Sequence, residues 1–191
     1  MGTVNTEAGG SHAKTRELIP VVALKLFADK GYDATSMREI AEQLNISKAA
    51  LYYHFDSKEA IVSELVTTML DQVAELVSWA KKQRSSADLR TEVLTRWSDI
   101  MQAHGLAMFR FVIANRNVMH NVRPDHGGMA GQLTDLYALL SPPDASVEEQ
   151  LRVRMALMSI NMAGLAGSDI LASDAEILQA ARKIAAELLP R

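Results

Sequence analysis

The chain has 191 residues, 48% of them apolar, and a net charge of −3: enough to bury a sizeable core, with too little charge for a disordered polyelectrolyte. With no cysteine, disulfides, thiolate metal sites and a thiol nucleophile are excluded, and a reducing, cytoplasmic setting is the simplest expectation. No apolar run approaches the roughly 18 residues a membrane span needs.

Residues 1–14 are polar and Gly-rich without the apolar core of a signal peptide, so 1–13 are expected to form a disordered tail. Leu18/Ile19, Val22/Ala23 and Leu26/Phe27 then recur at the spacing of one helical face. Gly31 ends that helix, with Lys30 in its last turn. Pro20 fits a first turn, so the helix is expected to start near Glu17 or to kink at the proline. Further helices are expected at 36–44, 47–53 and 57–82. After a polar loop at 83–88 come 89–103, 106–120 and 127–140, separated by Gly105 and by the stretch 121–128 with Pro124. Ser141-Pro142-Pro143-Asp144 is a firm break. The last helices are expected at 146–168 and 174–189, the latter capped by Ser173 or Asp174. No segment alternates as a strand would. About nine helices with short links make an all-α protein.

Chemistry concentrates in Thr35-Ser36-Met37-Arg38-Glu39-Ile40-Ala41-Glu42-Gln43-Leu44-Asn45-Ile46-Ser47-Lys48-Ala49-Ala50-Leu51-Tyr52-Tyr53-His54-Phe55. Thr35 can cap a helix whose apolar face is Met37, Ile40, Ala41 and Leu44. Asn45 suits a helix end because it tolerates the left-handed conformation. Ile46 plugs the core from the turn, Ser47 caps the next helix, and Leu51 anchors it. Asp56 with Glu59 reads as a capping box for the helix that follows. Two helices joined by so short a turn brace the second for the major groove. That second helix exposes Lys48, Ala49, Ala50, Tyr52, Tyr53 and His54. Lys48 can donate to guanine or phosphate, alanine methyls can meet thymine methyls, and the Tyr and His tips can reach phosphates. Amides of the helices starting near Thr35 and Ser57 are phosphate seats, joined by Ser36, Arg38, Ser47 and Lys58. Between Ser11 and Lys58 seven Lys/Arg face six Asp/Glu, a slight basic excess over an acidic remainder.

Residues of about 15–62 resemble the DNA-binding domain of the TetR family of bacterial repressors. The likeness rests on Leu26-Phe27-Ala28-Asp29-Lys30-Gly31-Tyr32, on Ala34-Thr35-Ser36-Met37-Arg38-Glu39-Ile40-Ala41, and on Ser47-Lys48-x-x-Leu51-Tyr52-x-His54-Phe55 with Ser57-Lys58-Glu59. It implies a DNA-binding domain at 14–56 and a ligand-binding and dimerisation domain at 57–191. The helix after the motif would be the connector, the next three would surround a cavity, and the last two would form the dimer. It further implies a homodimer on palindromic double-stranded DNA, released by a small, largely apolar effector. By the same analogy Lys14 and Arg16 contact phosphate or the minor groove. The chain departs from the pattern at Pro20 and at Ala49-Ala50, so base reading by the recognition helix is expected to be thin.

The rear half carries seven of the ten methionines. Trp97, Met101, Met108, Phe109, Phe111, Met119, Tyr137 and Met158 are the expected cavity lining. Met155, Met162, Leu165, Ile177, Ala181, Ile184 and Leu188 are the expected dimer contacts, aided by small residues at Ala156, Ala163, Gly164 and Gly167. Arg110, Asn115 and Arg116 can address a polar ligand group or serve structure. His104, His120 and His126 lack metal spacing, so no metal or cofactor is expected. No nucleophile–base constellation or phosphate loop points to an enzyme. A ligand-independent DNA-binding protein is the other reading, and a solid core would favour it.

Overall fold

The computed structural model describes residues 7–84, 86–115, 117–118, 128–141 and 144–190, with backbone alone for 7–13, 104–105, 107, 109 and 128–129. Among them are eight helices and no strand: α1 (Glu7–Lys30), α2 (Met37–Gln43), α3 (Lys48–His54), α4 (Lys58–Ala80), α5 (Ala87–Ala114), α6 (Gly128–Leu140), α7 (Val147–Ala166) and α8 (Asp174–Leu188). The fold is all-α, as the periodicities require.

Three expectations are corrected. Positions 7–13 are helical rather than a tail, because α1 runs unbroken through Pro20. An interior proline costs about 3 kcal/mol. Burial of Ile19, Ala23, Leu26 and Phe27 on the same helix outweighs that, at roughly 1.5–3 kcal/mol for each large side chain. The break expected at Gly105, between helices 89–103 and 106–120, is absent: α5 runs on from Ala87 to Ala114. Gly105 removes only about 1 kcal/mol of helix propensity, while Leu94, Trp97, Leu106, Met108 and Phe111 are buried along the helix on both sides of it. Finally, the chain does not divide at 57. One compact unit holds the residues through Val66 and a short stretch from Ala114; the other holds Thr67–Ile113 and the rest.

In the front unit α2 packs against both α1 and α3. Its buried residues include Ile19, Ala23, Phe27, Tyr32, Met37, Ile40, Ala41, Leu51, Phe55, Ile61 and Val62. Gly31 ends α1 at φ +92°, a left-handed turn that glycine adopts without strain. Asn45 holds the turn between α2 and α3 at φ +54°, as its side chain permits.

The rear unit is built on apolar packing of Val73, Leu76, Val93, Trp97, Leu136, Leu140, Leu157, Ile160 and Leu178, among others. Small residues set its helix spacing. A Cβ on Gly164 would stand 3.0 Å from Leu106 Cβ, and one on Gly167 2.9 Å from Ile177. Arg110 joins three helices, donating from Nε to Gly164 O at 2.9 Å and pairing with Asp174 at 3.1 Å. That is a structural role rather than a ligand contact. Gln132 Nε2 donates to Leu70 O at 3.0 Å, and Lys81 pairs with Asp135 at 2.9 Å, so α6 is fastened along α4.

Candidate nucleic-acid interface

α2 and α3 are short, so their ends decide their stability. Ser36 caps α2 in a full capping box: its hydroxyl accepts from Glu39 N, while Glu39 accepts from Ser36 N at 2.8 Å. Lys30 adds a 3.0 Å pair to Glu39, tying the end of α1 to the start of α2. The Ser36 backbone N–H, the Lys30 ammonium and the Ser36 hydroxyl together hold the Glu39 carboxyl down at about 2. Ser47 caps α3, accepting from Ala50 N at 3.0 Å. Ser57 caps α4 by accepting from Ala60 N at 3.2 Å, so the cap there is Ser57 and not Asp56.

α3 buries a single side chain, Leu51, at 0% exposure. The other side chains of α3 are exposed or half-buried. Lys48 and Ala49 are exposed, Ala50 and His54 half-buried, and Tyr52 and Tyr53 are 42% and 80% exposed. Lys48 Nζ lies 5.5 Å from the centroid of the Tyr52 ring, and Tyr53 meets the His54 ring edge-on at 5.2 Å. Lys48 and Tyr52 thus stand together one turn apart, with Tyr53 and His54 paired beside them on an otherwise alanine-bearing helix.

The structure sorts the other expected contacts. Lys14, Ser36, Arg38 and Ser47 are exposed. Arg38 shares its charge with Glu42 at 2.7 Å, one turn on. Thr35 is a correction. It is buried at 1% exposure, and its hydroxyl donates to Gly31 O at 2.8 Å. Its hydroxyl therefore locks the α1–α2 turn and cannot meet a phosphate, and the cap is the neighbouring Ser36. Lys58 is also committed: Nζ donates to Tyr32 O at 2.6 Å and sits 4.2 Å above the Tyr32 ring. Tyr32 in turn donates to Glu59 at 2.5 Å; burial foremost, then this bond, pushes the phenol up, while the same bond lowers the Glu59 carboxyl. Arg16 is engaged within the unit, on Glu64 and on the end of α3. The sequence pointed to none of the partners of Lys58, Tyr32 and Arg16, because each lies 26 to 48 residues away.

In the rear unit Trp97, Met101, Met108 and Phe111 are buried in the packed interior, and Tyr137 is half-buried beneath the Arg154 guanidinium. The Trp97 indole N–H and the Gln132 and Asn161 side-chain oxygens are buried and have no hydrogen-bond partner among the described residues. Met158 is a correction: at 49% exposure it faces outward, because Leu157 and Ile160 take the inward face of α7. The Phe109 and His104 side chains and Met119 lie outside the described residues, as do Arg116, His120 and His126. Met155, Leu165 and Ile184 are exposed, Met162 and Leu188 half-buried, and Ile177 and Ala181 mainly buried in the core. Among the described residues no cluster could hold a metal ion, and no helix is long and apolar enough to cross a membrane.

Residues 19–65 match the sequence pattern of "Bacterial regulatory proteins, tetR family". Over 136 residues the chain is 30% identical to the biofilm operon icaADBC HTH-type negative transcriptional regulator IcaR of Staphylococcus aureus, covering 70% of this chain and 69% of that protein. It is 35% identical over 102 residues to the HTH-type transcriptional repressor KstR2 of Rhodococcus jostii, or 51% of this chain and 48% of the other. Two solved structures share the fold. A putative TetR-family regulator from Mesorhizobium loti superposes with TM-score 0.58 at 21% identity, covering 93% of this chain and 96% of the other. A putative fatty acid metabolism regulator from Clostridium perfringens gives 0.59 at 15%, covering 91% and 98%. The all-α architecture, the doubly capped α2–α3 pair and the extent of the IcaR likeness agree: the chain belongs to the TetR family of DNA-binding transcriptional regulators.

Proposed function

We propose that the chain is a homodimeric repressor of a palindromic operator, released by a small, largely apolar effector. The observation that carries it is α3, a helix held by one buried leucine and a serine cap, with Lys48, Tyr52 and Tyr53 turned outward. Lys48 would take guanine or phosphate, and the phenols phosphate, with Ser36, Ser47, Arg38 and Lys14 around them. With Ala49 and Ala50 at the tip, sequence-dependent DNA shape contributes to specificity. In the dimer the two α3 helices would lie about 34–36 Å apart, one turn of DNA.

The dimer is supported by Val147, Leu151, Met155, Met158 and Leu165, which form an exposed stripe on α7 at 44–74% exposure. Beside it lies an apolar groove of about 340 Å³ lined in part by Met162, Ala163, Ile177, Ala181 and Ile184. An exposed apolar stripe and groove side by side support a protein–protein contact there. The effector site would lie around Trp97, whose buried N–H has no partner among the described residues and would donate to a polar atom on the ligand. An effector acts only by binding the DNA-incompetent state more tightly.

The test is titration of the duplex upstream of the chain's own gene. Lys48→Ala with Tyr52→Ala should weaken binding at least about tenfold, and affinity should fall steeply with salt. Binding unchanged by the pair would remove α3 from the interface.

A further inference from the structure

Arg16 stands where three helices of the front unit meet. From α1 its Nη1 donates to His54 O at 3.3 Å, the carbonyl of the last residue of α3. Its guanidinium lies 4.9 Å from the centroid of the Phe55 ring, the residue that ends α3. Its Nη2 pairs with Glu64 Oε1 of α4 at 2.9 Å. Helix ends leave their last carbonyls without partners inside the helix, and a cation there also meets the negative end of the helix dipole. α3 needs such support more than a long helix does, because only Leu51 anchors it in the core.

We propose that Arg16 is a positioning residue rather than a DNA contact: it clamps the C-terminal end of α3 and, through Glu64, couples the orientation of α3 to α4. The proposal rests on the DNA-binding reading of α3. Its geometry makes a particular demand of charge. A phosphate-binding arginine would be held back by Glu64, so removing that carboxylate would free it and strengthen binding to a polyanion. A clamp needs the carboxylate, so removing it weakens binding although the chain has lost a negative charge. Lysine cannot replace arginine in a clamp, since one ammonium cannot satisfy a carbonyl, a carboxylate and an aromatic face from the same plane.

The experiment compares the full-length chain with Arg16→Ala, Arg16→Lys, Glu64→Gln and the Arg16→Ala/Glu64→Gln pair. Binding to the upstream duplex is measured by fluorescence anisotropy across a salt series. Hydrogen exchange is followed at the Phe55 amide, which donates to Leu51 O in the final turn of α3. The expected result is a three- to fivefold loss for both single changes to alanine and glutamine, about the scale of one exposed ion pair. The double variant should be no weaker than Arg16→Ala, lysine should not rescue, and the salt slope should not change. Phe55 exchange should quicken in every variant. Tighter binding by Glu64→Gln, rescue by lysine, or a salt slope reduced by about one in Arg16→Ala would overturn the clamp and make Arg16 a phosphate contact. If the unaltered chain fails to bind the duplex, the regulator reading falls. The exchange measurement still decides the clamp, and unchanged Phe55 exchange in Arg16→Ala and Glu64→Gln would overturn it.

Discussion

α3 and α7 both turn large apolar or aromatic side chains outward, yet they are held by opposite means. α3 has seven residues and one buried side chain, and it keeps its place through Ser47 at one end and Arg16 at the other. α7 has twenty residues and buries Val153, Ala156, Leu157, Ile160, Ala163 and Gly164 along one face. A helix secured at its ends leaves nearly its whole surface to a groove in DNA. A helix secured along its length has only a stripe to offer, which suits a second protein surface of similar shape. The first is sensitive to single polar atoms, the second to volume and to charge placed on the stripe.

The largest effect expected from that contrast is at Trp97 in the rear unit, at 0% exposure. Trp97→Ala should cost about 3–5 kcal/mol, read by denaturant unfolding. Leu157→Met, which keeps volume, should cost less than about 1.5 kcal/mol. Similar losses from both would mean that the rear core is not governed by packing. Next is the stripe itself. Met155→Glu with Met158→Glu changes two half-exposed positions, so the fold should hold within about 0.5 kcal/mol. Light scattering should then find a monomer, and DNA affinity should drop by about two orders of magnitude as the paired half-sites are lost. A dimer that survives both glutamates would move the interface off α7.

The same contrast explains how far the sequence could be read. The front unit is specified by residues whose type announces a local geometry: Gly31 and Asn45 at positive φ, Ser36 and Ser47 as caps, Leu51 as anchor. Those signals act within a few residues and were legible, and with them the all-α class and the family. What failed there was nonlocal. Lys58 and Arg16 look like DNA contacts in one dimension, which carries no sign of their bonds to Tyr32 and Glu64, 26 and 48 residues away. In the rear unit apolar residues occupy several faces at once, so periodicity alone could not tell the inward Leu157 from the outward Met158. Gly105 looks like a break in the sequence, but its modest helix penalty is easily exceeded by the burial on either side of it along α5.

A smaller effect is expected at the cap of α3. Ser47→Ala removes the acceptor for Ala50 N and should cost about 1 kcal/mol. If α3 depends on its ends, most of that loss should appear as about fivefold weaker DNA binding and faster exchange in α3. Ser146→Ala, at the start of the longer α7, breaks the capping box there and should leave exchange in the middle of that helix unaltered.

Acid probes the one device that both units share. Capping-box glutamates begin α2, α7 and α8, and each carboxyl is lowered by bonds from its cap serine: Glu39 and Glu149 chiefly by the backbone N–H, Glu176 chiefly by the hydroxyl. A carboxyl whose folded value lies below its unfolded value contributes stability that is fully present above the unfolded value and is lost as pH falls through the folded one. For Glu39 the loss should begin below the ordinary value of 4.5 and finish below about 2. Glu39→Gln removes that titration, so its melting temperature should fall less steeply than the unaltered chain's between pH 5 and pH 2. Because all three glutamates are at the surface, the slope should be shallow, and salt should flatten Glu39's share most, since Lys30 contributes to it. An identical slope in Glu39→Gln would show that α2 is held by burial of Met37, Ile40 and Ala41 alone, and that even the shortest helices here do not depend on their ends.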